Sequence, residues 1–158
     1  MATVIRGSDN FDSAVNGRVL DVTTYTSGTR QAFAASASLT MASFSVNKLS
    51  STSTLVIHGT MSGRGENAGH VQQGWKLGSG TEFNGQTCSY QNNGLGRVLS
   101  TAAVISGHTT TGSQTMVFRY YAPNGSSNKP FDVYNPNATD DARLAQTSSV
   151  FIVTEVEA

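Results

Sequence analysis

Nowhere in this chain of 158 residues do apolar side chains hold a helical period; they recur in short segments separated by clusters of Gly, Asn and Ser. No other feature constrains the fold as much. A sheet with no helix to cover it must bury its apolar face against another sheet. Residues 19–26, 39–46, 54–61, 71–77, 97–105, 115–121 and 149–156 read as strands, with a weaker, irregular one at 81–91 and a short one at 131–134. Residues 54–61, carrying Leu55-Val56-Ile57, are the clearest core strand. In 39–46 the apolar phase slips between Met41 and Phe44, which places a bulge near Ser43. Gly78-Ser79-Gly80, Asn92-Asn93-Gly94 and residues 107–112 are turns. Residues 48–53 are a polar connection, 62–69 a glycine-rich loop and 123–130 a long loop; 135–146 are polar, with room for a helical turn at 140–144. About eight strands at spacings of roughly 10 to 20 residues predict an antiparallel β-sandwich of jelly-roll type. Residues 19–158 form it as a single domain, and residues 1–18 precede it as an extended N-terminal arm with Phe11 as a large anchor.

Composition supports the same reading. Charged residues are 13% of the chain, about half the usual ~25%, and Ser, Thr, Asn, Gln and Gly take their place. Hydroxyl and amide side chains compete for backbone hydrogen bonds and disfavour helix. Disorder is opposed by the regular apolar segments, the 3 prolines and the lack of any charge run. Net charge is zero, and the 10 Lys and Arg are scattered singly, so there is no basic face for nucleic acid. No apolar run approaches the ~20 residues of a membrane span. Residues 1–10 have no apolar signal core, and the lone Cys88 cannot form an internal disulfide. Synthesis in a cytoplasm is the expectation.

Residue types that carry chemistry do not converge. His58, His70 and His108 lie far apart with no HxH or HExxH spacing, so no metal site is expected. Cys88, between Thr87 and Ser89, reads as a buried thiol. Asp9/Asp12, Asp140-Asp141 and Glu155/Glu157 are the closest carboxylates. A glycosidase pair would need a groove with several aromatics, and a calcium loop would need a ligand-rich spacing that is absent here. Residues 62–69 lack the Gly-Lys-Ser/Thr ending of a phosphate loop. The triplets at Asn124 and Asn137 that match glycosylation sites read as turns. The expectation is a non-enzymatic protein with no catalytic residue, cofactor or metal.

The last strand is apolar on both faces: Val150 and Ile152 on one, Phe151 and Val153 on the other. One face fills the core, and the other needs a cover, either a neighbouring subunit or a further part of the same chain. Val150, Phe151, Ile152 and Val153 are therefore the candidate subunit interface.

From about Thr23 to Ala158 the chain resembles the β-sandwich head and knob modules of phage virions, as in tail-fibre tips and capsid decoration proteins. Residues 50–61 (Ser-Ser-Thr-Ser-Thr-Leu-Val-Ile-His-Gly-Thr-Met) resemble that family's polar connection and most apolar strand. Residues 75–81 (Trp-Lys-Leu-Gly-Ser-Gly-Thr) are similar to its strand and tight turn, and residues 148–158 to its terminal strand and acidic finish. The resemblance implies a homotrimeric knob exposed on a virion. Such heads usually sit on a long shaft, whereas here only a short arm precedes the sandwich. That departure points to a protein decorating or cementing the particle. Val4, Ile5, Arg6 and Phe11 would anchor it to another virion protein, such as the major capsid protein or a tail component. The alternative is a receptor-binding knob of a tail fibre or spike, contacting host surface glycan or protein through Arg64, Glu66, Asn92, Asn93, Tyr121 and Asn124. A glycan-active enzyme and a non-viral trimeric sandwich of the tumour-necrosis-factor type are the remaining readings.

Overall fold

A computed structural model describes residues 18–32, 38–64, 69–81, 83–90, 96–121, 133–140 and 147–157. Among the described residues there are ten strands and no helix: β1 (Val19–Ser27), β2 (Gln31–Ala32), β3 (Ser38–Lys48), β4 (Thr54–Arg64), β5 (Gly69–Leu77), β6 (Phe83–Tyr90), β7 (Gly96–Ile105), β8 (Gly112–Tyr121), β9 (Val133–Tyr134) and β10 (Ser149–Val156). They form two antiparallel sheets. The first runs β1-β10-β4-β7, with β9 pairing β4 just past the start of β10 and β2 pairing β9. The second runs β3-β8-β5-β6.

The pairing is nested. β1 pairs with β10, β3 with β8, β4 with β7, and β5 with β6. Each pair lies inside the previous one along the chain, as in a long hairpin rolled up, and that is the organisation of a jelly roll. The fold is the all-β sandwich that the strand spacing predicts.

Period-two alternation decides what each strand buries. β4 sends Leu55, Ile57 and Met61 inward, β8 sends Met116, Phe118 and Tyr120, and β5 sends Trp75 and Leu77. At the centre Trp75 stacks on Phe118 with ring centroids 4.3 Å apart, and Phe151 of β10 meets Trp75 edge-on at 5.7 Å. Phe44 of β3 lies 5.6 Å from Phe151, and Tyr25 of β1 stacks on Phe44 at 4.2 Å. Each aromatic pair contributes roughly 0.5–1.5 kcal/mol beyond the area it buries. Gly59, mid-way along β4 on the inward face, makes room for this cluster. A Cβ there would lie 2.5 Å from Cδ1 of Phe151 and 2.9 Å from Cγ2 of Thr101.

Details depart from the sequence reading. The β3 bulge falls between Thr40 and Ala42, two residues before the expected position: Met41 is the extra residue, buried in phase with Leu39, and the phase of Phe44 and Val46 starts at Ala42. Residues 62–64 belong to β4 and not to a loop, since β7 runs beside them as far as Gly96 and β9 pairs on the other side. Residues 138–140 form a turn; the rest of the expected helical turn, and residues 1–17 of the expected arm, lie outside the described residues.

Gly59→Ala should destabilise the protein by about 1–3 kcal/mol through overpacking, and Phe151→Ala by about 3–5 kcal/mol through the cavity it leaves. Denaturant titration of Gly59→Ala, Phe151→Leu and the double variant should show the double variant less destabilised than the sum of the singles. Additive losses would show that the two residues do not share one space.

Candidate functional surface

The outward residues of the first sheet form ordered rows across its four long strands. One row is Thr24, Ile152, His58 and Ala102, and the next is Val22, Thr154, Val56 and Val104. On the other side lies Thr26, Val150, Thr60 and Ser100. None of these is a lysine, arginine or carboxylate, and His58 alone among them can titrate. Val22, Val98, Val104 and Ile152 are 58%, 69%, 59% and 41% exposed. These side chains are therefore unburied in the single chain although most are β-branched and apolar. The small Ser100 and Ala102 leave an open, shallow concavity of about 310 Å³ between them, His58, Thr60, Val150 and Ile152. Among the described residues, charge returns only at the ends of the face. Arg18 pairs with Glu157 at 3.1 Å beyond one end. At the other, Arg64 Nη1 donates to the Asp140 carbonyl at 2.9 Å. The second sheet's outer surface differs, with Ser43, Ser45, Asn47, Ser113 and Thr115 beside the cations Lys76 and Arg119.

Most described charged groups with shifted titration serve the fold. Glu155 is buried at the end of β10, where its carboxylate accepts from the Leu49 amide at 3.0 and 2.9 Å, the Ser50 amide at 2.9 Å and the Ser53 hydroxyl. Burial pushes its pKa up, but those donors, with Lys48 nearby, outweigh burial and hold it below the usual glutamate value. Lys48 is buried beside it and donates from Nζ to the Ser53 carbonyl at 3.1 Å and hydroxyl at 2.7 Å; burial lowers its pKa. Asp140 accepts from Arg30 Nε at 3.0 and 2.9 Å, which holds its carboxyl below the ordinary range. Among the described residues no three of His, Cys, Asp and Glu gather as metal ligands would. The His108 Nε2 is buried in the β7–β8 turn with no hydrogen-bond partner among the described residues.

The structure divides the expected interface strand in two. Phe151 and Val153 are core residues, 1% and 3% exposed, and are not available to a partner, whereas Val150 and Ile152 face outward. Of the expected receptor-loop residues, Arg64 ends β4, and the backbone of Tyr121 ends β8 opposite Ser38 and Gln72. Glu66, Asn92, Asn93 and Asn124 lie outside the described residues, as do Val4, Ile5, Arg6 and Phe11 of the arm. The sequence reading missed His58, Val22, Val98, Val104 and Ala102 as members of one face. Alternation in each strand carried that signal, but the strand order that joins them did not show.

Fold and surface together define an all-β jelly-roll sandwich with one uncharged outer face. No protein-family model matches the chain, and no curated protein matches it. Among solved structures it is similar to the infectious bursal disease virus Gx strain structure, with a TM-score of 0.41 and 14% identity over 88% of this chain and 40% of that one. It is also similar to a mutant VP2 protein of infectious bursal disease virus in derived T=1 particles, with a TM-score of 0.41 and 13% identity over 98% of this chain and 42% of that one. The VP2 subviral particle of the same virus matches at a TM-score of 0.37 and 13% identity, over 89% of this chain and 38% of that one. The chain thus spans about two fifths of the length of the structures it matches.

Glu155→Gln should cost about 1.5–3 kcal/mol at neutral pH, since the charge-assisted bonds from residues 49, 50 and 53 weaken together. A carboxyl whose native pKa is depressed stabilises the fold above its unfolded value and loses that contribution as pH falls through the native value. Wild-type stability should therefore drop below pH 4.5, the ordinary glutamate value, more steeply than that of Glu155→Gln. Parallel curves in urea titrations over that range would count against the clamp.

Proposed function

We propose that the chain is a non-enzymatic structural module on the surface of a bacteriophage particle, assembled with its own copies as a homotrimer and attached through residues 2–16 to the major capsid protein or a tail component. One observation carries the reading: among the described residues the first sheet presents a continuous uncharged face, rich in Val and Thr, with Val22, Val98, Val104 and Ile152 exposed on it. The exposed valines sit towards its two flanks, Val22 on β1 and Val98 and Val104 on β7, with Ile152 between them. Two apolar flanks on one protomer suit a closed ring, in which the β1 flank of one copy meets the β7 flank of the next. Four strands ~4.8 Å apart and ~26 Å long give a face of roughly 500 Å², so three copies that turn it towards one axis cover roughly 1,500 Å² among them, about 500 Å² per contact, the scale of a weak association.

The fold also supports a structural role. Jelly rolls serve capsids, lectins and ligand-binding barrels alike, so fold alone does not choose among them. Here the space between the sheets is filled by Phe44, Trp75, Phe118 and Phe151, which leaves the outer surfaces as the place of contact. The resemblance of residues 50–61, 75–81 and 148–158 to phage virion modules supports the phage setting.

Val104→Asp should leave the circular dichroism spectrum unchanged and weaken assembly about 30-fold or more, as an unpaired carboxylate buried in a contact costs ~2 kcal/mol or more. Ser45→Asp on the opposite sheet should leave the sedimenting mass unchanged. A wild-type chain that sediments as one subunit at high concentration would overturn the assembly reading. Deleting residues 1–16 should leave a folded trimer that no longer binds particles. Retained binding would refute anchoring by the arm, and binding of the intact protein to host cells would favour the receptor knob.

A further inference from the structure

Building on this assembly reading, we propose that His58 makes the contact pH-sensitive: copies associate while its imidazole is neutral and separate when it takes up a proton. His58 is exposed in the isolated chain and sits mid-face, between Ile152 of β10 and Ala102 of β7, with Val56 and Thr60 beside it on β4. One strand further out the same row reaches Thr24 of β1. Among the described residues, the strands beside it, β10, β7 and β1, present no carboxylate to balance an imidazolium and no second cation on this face.

Among the described residues the charges nearest along the face are Arg64, six residues up the same strand, and the Arg18–Glu157 pair beyond the far end of β10. At ~3.3 Å per residue both are well over 10 Å away, beyond the ~8 Å screening length of physiological salt. In the free chain, water solvates the protonated ring. In the assembled face that water is displaced, and an unpaired charge in an apolar contact is strongly disfavoured. A closed ring also turns the same strand of every copy towards one axis, so protonation gathers like charges. A neutral imidazole, by contrast, suits a surface of hydroxyls and methyls.

The sign follows from linkage. Association favours the unprotonated ring, so it weakens as pH falls through the range in which a histidine side chain takes up a proton. The loss approaches a tenfold change in the association constant per pH unit for each histidine, or about a thousandfold for three. Two other histidines lie elsewhere: His70 on β5 of the second sheet, and His108 in the β7–β8 turn.

Sedimentation of the full chain at fixed salt, about one pH unit above and one below ~6.5, tests the proposal, with circular dichroism to confirm folding. The wild-type chain should be oligomeric at the higher pH and dissociate at the lower, while His58→Thr and His58→Gln stay assembled at both. A wild-type oligomer indifferent to pH overturns the switch and leaves the assembly reading standing. Dissociation of both variants at low pH like wild type also overturns it, since another group would then be responsible. A wild-type monomer at both values overturns switch and assembly together.

Discussion

Four rings drawn from four strands and both sheets, Phe44, Trp75, Phe118 and Phe151, make the contact on which the rest of the molecule depends. Each ring fixes the phase of its own strand. Because side chains alternate, a slip of one residue would turn a whole apolar set out to water. Phe151 pointing inward sends Val150 and Ile152 outward. Leu55, Ile57 and Met61 pointing inward leave Val56, His58 and Thr60 on the surface. The outer face is in this sense a consequence of the core.

Rolling a chain so that its first long strand lies beside its last brings distant corners together, and polar groups caught there must be paired. Glu155 and Asn135 each reach partners about a hundred residues away. Glu155 caps the amides of the turn between β3 and β4. Asn135, fully buried with φ of 48°, donates from Nδ2 to the carbonyls of Ser27 at 2.7 Å and Thr29 at 3.2 Å. Its own amide donates to the Ser62 carbonyl at 2.9 Å, and its side-chain oxygen accepts from the Ser149 hydroxyl at 2.7 Å. Asparagine tolerates that left-handed backbone better than most residues and brings both donor and acceptor to it. Four segments meet at one residue.

Most strands were legible in the sequence because their signal is local: alternation in 115–121 and 149–156, the apolar run at Leu55-Val56-Ile57, glycines at the turns. The order of strands was not, since nested pairing joins residues such as Thr24 and Ile152, or Ser45 and Thr115, that no local pattern links. The same gap explains the interface strand. Alternation showed that Val150/Ile152 and Phe151/Val153 face opposite ways, but only the packing of Phe151 against Trp75 says which pair is inside. His58 read as one more residue in an apolar strand, and its place among Ile152, Ala102 and Thr24 emerged only with the register.

Edges and faces offer different routes to association, and this sandwich treats them differently. Among the described residues β1 and β3 are edge strands, on the same side of the molecule, as the stacking of Tyr25 on Phe44 shows. Neither carries an exposed lysine or a proline, the usual guards against open-ended strand addition. Each instead carries an irregularity, between Val19 and Asp21 in β1 and between Thr40 and Ala42 in β3. A bulge breaks the even ladder that an added strand would need and twists the edge away. Pairing at an edge has no natural end, whereas flanks that meet around an axis are satisfied once the ring closes. In the assembly proposed above, blunted edges beside an open, uncharged face would favour a closed set of copies over open-ended strand addition.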